Sequence, residues 1–252
     1  MPTKDVFFST YNCLVFCPRS YIYGYELIPF IWLCRGGDVK QGQKTQTEQI
    51  RQLQAQSNSK AESGTLRQLT AQNLSHIVDI TEAFYSHPKV LVSALNGPAI
   101  GLSAALVAHS DFIYAMPHTY LLAPFTTIGI AAEGGASATF IQRLGFAKAA
   151  EALLMSKRIT CAELQSCGFV NEVFDTDKDT GRFLERVFQE LDKRLHKSLD
   201  ARSVLRIKSL MRQPSIPLVA SQTIAEALQV TEDLARRAGA AMSSSGSQSQ
   251  KL

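Results

Sequence analysis

The spacing of apolar and polar residues predicts alternating helices and short strands in the middle of the chain. Apolar residues recur at helical spacing over residues 66–86, and this helix is expected to end before Pro88. The stretch 101–109 predicts a helix of small residues that packs closely against its neighbours. Three compact apolar runs predict buried strands, at residues 89–95, 111–115 and 120–123.

The second half of the chain is predicted to be mainly helical. Thr160 is expected to cap a helix that begins at Cys161, and a short strand is predicted at 169–174. From residue 241 the chain is rich in Ser and Gln, which predicts a disordered tail. Amphipathic patterns predict helices at residues 136–144, 147–155, 179–213 and 217–238. Together the two halves predict an α/β fold with a C-terminal helical region.

Residues 11–34 form an apolar segment unlike any other in the chain. They contain three of the five cysteines, the only tryptophan and just two charged residues, Arg19 and Glu26. Because Glu26, Pro18 and Pro29 interrupt the segment, a membrane span is disfavoured. No small-residue cleavage site follows, so a signal peptide is disfavoured too. A buried hydrophobic hairpin is one alternative.

Composition narrows the class of protein further. The chain has 252 residues, 45% of them hydrophobic and 19% charged, which excludes a disordered protein, a disulfide scaffold and a coiled coil. The mean hydropathy of −0.03 excludes a polytopic membrane protein. The net charge is only +4 and the basic residues are scattered, so nucleic-acid binding is disfavoured. The histidines and cysteines lack metal-ligand spacing, and no bound metal is expected.

Two features carry candidate chemistry. The strand, tight turn and helix over residues 89–106 expose the N–H groups of a helix that begins near Gly101 and Leu102. Such groups can stabilise an oxyanion, although close packing of small residues explains the pattern equally well. Glu133 stands among small and apolar residues, which would raise its pKa towards neutrality. The alternative for Glu133 is a solvent-facing side chain at a helix start, where the helix dipole favours it.

A resemblance to a known family rests on two motifs, LNGPAIGLSAALVAHSDFIYA and YLLAPFTTIGIAAEGGASATF. They resemble the crotonase (enoyl-CoA hydratase/isomerase) superfamily, with the nearest likeness to fungal peroxisomal Δ3,Δ2-enoyl-CoA isomerases. The likeness runs from about Gly36 to the last helix. It implies a crotonase-like ββα spiral, an acyl-CoA thioester as substrate and no cofactor.

The resemblance also implies roles for individual residues. The N–H groups of Gly37 and Leu102 would form an oxyanion hole that polarises the thioester carbonyl and stabilises an enolate. Glu133 would be the catalytic base that takes a proton from C2 and returns it at C4. The implied substrate-binding residues are Gly36, Gly37, Asp38, Val39 and Leu102.

Isomerase and hydratase activity make different demands on the residues. Hydratases of this superfamily use two glutamates to position and activate water, and their positions fall on Ala105 and Phe125. Since neither side chain ionises, an isomerase that moves a double bond from position 3 to position 2 is favoured. The alternatives are a hydratase of the same superfamily and a catalytically impaired, truncated paralogue that acts as an oligomer subunit.

The end of the chain resembles a peroxisomal address. The last three residues, Gln250, Lys251 and Leu252, are similar to Ser-Lys-Leu, so the peroxisome is the expected location and its import receptor an expected partner. The resemblance further implies a homo-oligomer, either a trimer or a hexamer. It implies a role in fatty-acid metabolism or in fungal toxin-type secondary metabolism of polyunsaturated acids. No nucleic-acid or membrane partner is expected.

The apolar segment interrupts the motif that carries Gly37. Joining Thr10 to Gly36 gives FFSTGGDVK, which matches the family motif. We therefore hypothesise that the segment is a translated intron. Sequencing of the transcript tests this, and retention of the bases of the segment in all of the mature message would contradict it. Family members also have a longer N-terminal portion, so this chain is expected to lack part of the domain and of the CoA-binding surface.

The predicted organisation has five parts. They are a remnant of an N-terminal strand (1–10), the atypical insertion (11–35), the crotonase core (36–190), the C-terminal helical region (191–240) and the disordered tail (241–252). The predicted fold is thus α/β and crotonase-like, with its N-terminal part missing and an insertion at 11–34.

Overall fold

The computed structural model describes residues 13–16, 32–33, 74–196 and 198–246. These residues form eight strands and nine helices. The strands are β1 Cys13–Phe16, β2 Trp32–Leu33, β3 Val92–Leu95, β4 Ala99–Ile100, β5 Phe112–Ala115, β6 Tyr120–Leu122, β7 Ile159–Thr160 and β8 Glu172–Val173. The helices are α1 74–85, α2 Leu102–Val107, α3 Phe125–Ile128, α4 Ala136–Leu144, α5 Phe146–Leu154, α6 Cys161–Ser166, α7 Thr180–Arg194, α8 Ala201–Arg212 and α9 Ile216–Gly246. None of these helices combines the length and the apolar character that a membrane crossing requires.

The strands form two sheets. The five-stranded sheet has the order β2-β1-β3-β5-β8; β3, β5 and β8 are parallel, and β1 is antiparallel to both of its neighbours. The three-stranded sheet has the order β4-β6-β7, with β4 parallel to β6 and β7 antiparallel to it. The three strands predicted from apolar runs are confirmed. The structure adds β4, two residues long, directly after the turn at residues 96–98.

A repeated unit of two strands and a helix links the sheets. The chain passes from β3 through a turn to β4 and α2, and then from β5 through a second turn to β6 and α3. The first strand of each unit joins the five-stranded sheet and the second joins the three-stranded sheet. This is the ββα arrangement that the resemblance implied. Because β4 runs into α2 across one residue, the first turn of α2 begins at the end of the second sheet.

Helix α2 is short and almost wholly buried. Ala104 and Ala105 are 0% exposed, and Leu106 and Val107 are also in the core. Small side chains let a helix approach its neighbours closely, because interiors are packed at the density of organic crystals. The predicted close packing of this helix is confirmed.

The helices on either side of residue 160 follow their local signals. The predicted helices 136–144 and 147–155 are α4 and α5. Thr160 Oγ1 accepts a hydrogen bond from Glu163 N at 3.3 Å, and Glu163 Oε2 accepts one from Thr160 N at 2.9 Å. This capping box confirms the predicted start of α6.

The C-terminal region differs from the prediction in its boundaries. Residues 179–213 form two helices, because the backbone at Leu195 leaves the helical conformation and Asp200 caps α8. The first residues of the stretch predicted to be disordered from 241 are helical, since α9 continues to Gly246 through a run rich in Ala and Arg, both strong helix formers.

The predicted strand at 169–174 is shorter than expected. Only Glu172–Val173 pairs as a strand. At the preceding position, the side-chain oxygen of Asn171 accepts a hydrogen bond from Ile113 N at 2.7 Å. A side chain therefore takes the place of a ladder carbonyl at the third residue of the predicted strand.

Strands β1 and β2 lie in the apolar segment 11–34. Leu14 pairs with Leu33 and Val15 with Trp32, and β1 also pairs with β3. This antiparallel pairing fits the hairpin alternative. The translated-intron hypothesis concerns the transcript and stays a prediction.

Helix α8 is attached to the core by ion pairs as well as by the partly buried side chains of Val204 and Leu205. None of its residues is buried. Asp111 accepts hydrogen bonds from Lys208 Nζ and from Arg212 Nη2, both at 2.7 Å, and a third from Leu91 N. The three charged side chains are only 12–23% exposed, so solvent screens these pairs less than it screens surface pairs.

The variant Asp111→Asn is expected to lower the free energy of unfolding by about 3 kcal/mol, because it removes the shared anion of two shielded cations. Chemical denaturation at neutral pH measures this loss. Asp177→Asn is the matched control, since it removes an exposed carboxylate 3.6 Å from Arg182. The control should lose less than about 1 kcal/mol. Equal losses in the two variants would contradict the ionic attachment.

Candidate active site

Glu133 lies in the segment that connects α3 to α4, and its side chain is half-buried. Burial and, to a smaller extent, the negative charge of Glu226 together raise the pKa of Glu133 to about 7. The rise of this pKa, expected from the apolar surroundings, is confirmed. A carboxyl group with such a pKa can both accept and donate a proton at neutral pH.

The half-burial of Glu133 argues against the alternative of a solvent-facing side chain favoured by the dipole of α4. A helix dipole lowers the pKa of an acid at the helix start, whereas the pKa of Glu133 is raised. The carboxylate that accepts hydrogen bonds from backbone N–H groups at the start of α4 is that of Glu226, a residue of α9. Its Oε2 accepts a hydrogen bond from Gly135 N and its Oε1 accepts one from Ser137 N, both at 2.7 Å.

Two glycines after Glu133 bring this segment against α2. Gly134 and Gly135 both have φ of 72°, a left-handed conformation that is costly for other residues. A Cβ atom on Gly134 would stand 2.8 Å from Ala105 Cβ and 2.8 Å from Leu102 Cδ1. The turn therefore approaches α2 more closely than any side chain would permit. The structure thus brings the Glu133 segment and Leu102 together.

Leu102 is the first residue of α2. No side chain caps this helix, and Gly101 before it has φ of 64°. Gly101 N donates a hydrogen bond to Leu122 O at 2.8 Å, which ties the helix start to β6. The N–H of Leu102 thus lies in an uncapped first turn, as an oxyanion-hole donor requires. The other residues predicted for substrate binding, Gly36, Gly37, Asp38 and Val39, lie outside the described residues.

Among the described residues, the candidate acid–base group on the segment beside α2 is Glu133. The positions that carry glutamates in hydratases hold buried apolar side chains, with Ala105 0% and Phe125 2% exposed. Glu226 is the charged neighbour that raises the pKa of Glu133, and backbone N–H groups engage both of its oxygens. In the part of the chain that the structure describes, His, Cys, Asp and Glu form no group of three that could hold a metal ion.

His109 supports the turn after Glu133, although the sequence pattern marked it only as a surface or core residue. The side chain is 1% exposed, and Nε2 lies 2.9 Å from the carbonyl oxygen of Gly134. Burial lowers the pKa of His109 to about 4, so the ring is neutral at pH 7. Because a carbonyl only accepts, the hydrogen lies on Nε2 and His109 donates.

Asp233 of α9 holds the segment on the other side of Glu133. Its Oδ2 accepts a hydrogen bond from Ala131 N at 2.9 Å. Glu226 and Asp233 are two helical turns apart, and the buried Val230 lies between them. Sequence reasoning missed both carboxylates. The sequence signal that could have found them is an acidic residue on the otherwise apolar face of the predicted helix at 217–238.

A cavity of about 410 Å³ lies between α1, α4, α8 and α9. His109 contributes to its wall, but neither Glu133 nor Leu102 does. Its charged lining residues are Asp111, Arg143, Lys208 and Arg212. The cavity therefore belongs to the packing of the C-terminal helices on the core and is separate from the space beside Glu133.

Comparisons with known proteins cover the same region. A family model described as enoyl-CoA hydratase/isomerase matches residues 34–233, a range that begins at the end of the apolar segment. A solved structure of an enoyl-CoA hydratase/isomerase from Pseudoalteromonas atlantica superposes with a TM-score of 0.50 and 30% identity. That superposition covers 56% of this chain and 55% of the other.

Two curated relatives carry isomerase names. Over 167 residues the chain is 50% identical to a Delta(3,5)-Delta(2,4)-dienoyl-CoA isomerase from Pyricularia oryzae, covering 65% of this chain and 60% of that protein. Over 141 residues it is 36% identical to a 3,2-trans-enoyl-CoA isomerase from Saccharomyces cerevisiae, covering 55% and 50%. The chain thus spans between half and three fifths of the length of these relatives.

Proposed function

Because the chain belongs to the enoyl-CoA hydratase/isomerase family, we propose that it is an enoyl-CoA isomerase. In the proposed reaction, Glu133 moves a proton across one face of an acyl-CoA and the double bond shifts from position 3 to position 2. The observation that carries the proposal is a half-buried carboxyl with a pKa of about 7, on a segment whose next residue, Gly134, packs against the uncapped first turn of α2.

The first half of the proposed reaction forms an enolate. The N–H groups of Leu102 and Gly37 donate hydrogen bonds to the thioester oxygen, which acidifies the C2 protons and stabilises the negative charge. Glu133, as a carboxylate, removes one C2 proton, and the electron pair of that C–H bond passes into the enolate. This scheme needs no cofactor, because the thioester itself activates C2.

The second half returns the proton. Protonated Glu133 delivers it to C4, the thioester carbonyl re-forms, and the double bond now joins C2 and C3. Atoms and charge balance, and Glu133 is a carboxylate again. A pKa near 7 suits both halves, because the same group must accept and then donate a proton.

A second candidate is the isomerisation of a 3,5-dienoyl-CoA to the 2,4-isomer, the activity in the name of the Pyricularia relative. That reaction returns the proton at C6 instead of C4, so the proton must travel further. One carboxylate reaches C4 more easily than C6, and the oxygens of Glu226 are already engaged. Glu133 as the candidate carboxylate among the described residues near Leu102 therefore favours the 3-to-2 shift, whereas the 50% identity favours the dienoyl reaction.

Purified protein assayed with a 3-enoyl-CoA and with a 3,5-dienoyl-CoA tests these proposals. We expect kcat/KM for the preferred substrate to rise about tenfold per pH unit below a midpoint of about pH 7 and then to level off, because the base must be deprotonated. A flat profile between about pH 5 and pH 9 would contradict Glu133 as the base.

Two other outcomes would favour the alternatives. Addition of water to a 2-enoyl-CoA at a substantial rate would favour the alternative of a hydratase, although Ala105 and Phe125 offer no carboxylate to orient the water. A soluble oligomer without turnover of any of these substrates would support the impaired paralogue that acts as a subunit.

We also propose a peroxisomal location, recognition by the import receptor and a homo-oligomeric state. These proposals rest on the resemblance, as does the context of fatty-acid or fungal toxin-type metabolism; Gln250, Lys251 and Leu252 lie outside the described residues. A fluorescent fusion ending in these three residues that stayed in the cytosol would contradict the first two. A monomeric mass in light scattering would contradict the third.

A further inference from the structure

Helix α9 holds the backbone on both sides of Glu133. Asp233 accepts a hydrogen bond from the N–H two residues before Glu133, at 2.9 Å. Glu226 accepts hydrogen bonds from the N–H groups two and four residues after it, both at 2.7 Å. Since a carboxylate accepts charge-assisted hydrogen bonds from backbone N–H groups, these three contacts fix the path of the segment.

Apolar packing fixes α9 in place. Ala227 is 0% and Val230 is 3% exposed, and both belong to a cluster with Ile77 of α1. The buried Thr223 lies one turn earlier, and its Oγ1 would be 3.2 Å from a Cβ atom on Gly135. The carboxylates therefore project from a helix face that is itself packed against the active-site segment.

We propose that Glu226 and Asp233 are positioning residues for Glu133, and that Glu226 also acts on Glu133 through its negative charge. This inference rests on the proposed function of Glu133 as the base. Neither carboxylate touches the reacting atoms in the proposed scheme. Each acts through the backbone that carries Glu133, and Glu226 acts through its field as well.

Hydrogen bonding favours the ionised form of Glu226. Each of its oxygens accepts a hydrogen bond from a backbone N–H group, which stabilises the negative charge of a carboxylate. Burial raises the pKa of Glu226, and the hydrogen bonds from Ser137 and Gly135 oppose that rise. In its ionised form, Glu226 disfavours a negative charge on Glu133.

The other charged groups on the elements around Glu133 are neutralised or point elsewhere. His109, at the end of α2, is neutral at pH 7. Asp233 is paired with Arg236 at 2.8 Å. Arg143 of α4 donates to the carbonyl oxygen of Phe169. The acidic and histidine side chains of α1 are exposed, and they are His76, Asp79 and Glu82.

Two matched variants separate charge from position. Wild type should retain about one tenth of its plateau kcat/KM at pH 6, one unit below the pKa of Glu133. Glu226→Gln should lower the plateau about tenfold and retain a larger fraction of it at pH 6, because the repelling charge is gone. Asp233→Asn should lower the plateau but keep the one-tenth fraction. Glu232→Gln, which neutralises an exposed carboxylate on α9, should change neither the plateau kcat/KM nor the fraction of it retained at pH 6.

An unchanged plateau in both variants would overturn the positioning role. A fraction of one tenth in Glu226→Gln would overturn the role of its charge. Glu226→Asp keeps the charge on a shorter side chain, so it should lose rate while the pH midpoint stays in place. If the two carboxylates had only a structural role, the pH midpoint would not shift in Glu226→Gln while staying in place in Glu226→Asp and Asp233→Asn.

A substrate-free measurement keeps the inference separate from the proposed function. Carbon-13 NMR titration of labelled glutamate side chains should show Glu133 titrating near neutrality, and titrating at lower pH in Glu226→Gln. Coupling between two sites is reciprocal, so Glu133→Gln should lower the titration midpoint of Glu226. This second measurement does not need the Glu226→Gln variant and tests the coupling even if that variant does not fold. An unmoved Glu226 midpoint would refute the coupling. Absence of turnover with these shifts intact would refute only the proposed function.

Discussion

Replacing Glu133 with Gln is expected to lower kcat for double-bond isomerisation at pH 8 by about 10³-fold. Glutamine has the same shape but cannot take the C2 proton, so the chemical step loses its base. KM should change little, since the contacts that bind the thioester are left in place. Steady-state rates with the preferred enoyl-CoA measure both constants. A kcat of Glu133→Gln equal to that of the wild type would contradict the proposed mechanism.

The same variant should be more stable than wild type at pH 8. The pKa of Glu133 rises from 4.5 to about 7 in the folded protein. The folded state therefore binds more protons than the unfolded state between these values, and stability falls as the pH rises through that window. At pH 8 the carboxylate costs the folded state on the order of 2–3 kcal/mol, which glutamine removes.

Thermal melts at several pH values measure this gain. The melting temperature of Glu133→Gln should exceed that of wild type at pH 8, and the difference should shrink as the pH approaches 4.5. Glu232→Gln is the control, because it neutralises an exposed carboxylate on α9 and should leave both rate and melting unchanged. A Glu133→Gln protein that lost stability along with turnover would point to a damaged fold, not to a missing base.

Replacing Gly134 with Ala is expected to reduce both stability and turnover. The added Cβ would lie 2.8 Å from Ala105 Cβ and from Leu102 Cδ1, and φ of 72° is itself unfavourable for alanine. We expect a loss of about 3 kcal/mol in the free energy of unfolding. We also expect about a 100-fold drop in kcat/KM, because the clash displaces Glu133 relative to Leu102.

Gly168→Ala controls for backbone strain. Gly168 also has a left-handed backbone, with φ of 78°, but a Cβ there would meet nothing within 4 Å. This variant should lose about 1–2 kcal/mol and keep its turnover. If Gly134→Ala lost no more stability or rate than Gly168→Ala, the close approach of the turn to α2 would not matter for catalysis.

The local pattern of the sequence was sufficient for most elements of the core. The strands at 89–95 and 111–115, helices α4 and α5, and the cap at Thr160 all depend on residues within a few positions of one another. The family resemblance added the ββα arrangement, because its motifs span the turns between paired strands. Two of the boundary errors fell at Leu195 and Asn171, where a backbone break and a side-chain hydrogen bond override the periodicity.

The sequence by itself determined the family, the core elements and Glu133 as the candidate base. Only the tertiary structure decided what surrounds that base. Glu226 reaches the backbone of a residue 91 positions earlier, and Asp233 reaches one 102 positions earlier. No spacing rule encodes such pairs, since a carboxylate on a helix looks alike whether it faces solvent or an active-site turn. The fold brings α9 across the segment, and that contact fixes the backbone on both sides of Glu133 and adds the charge of Glu226 to the burial that raises its pKa.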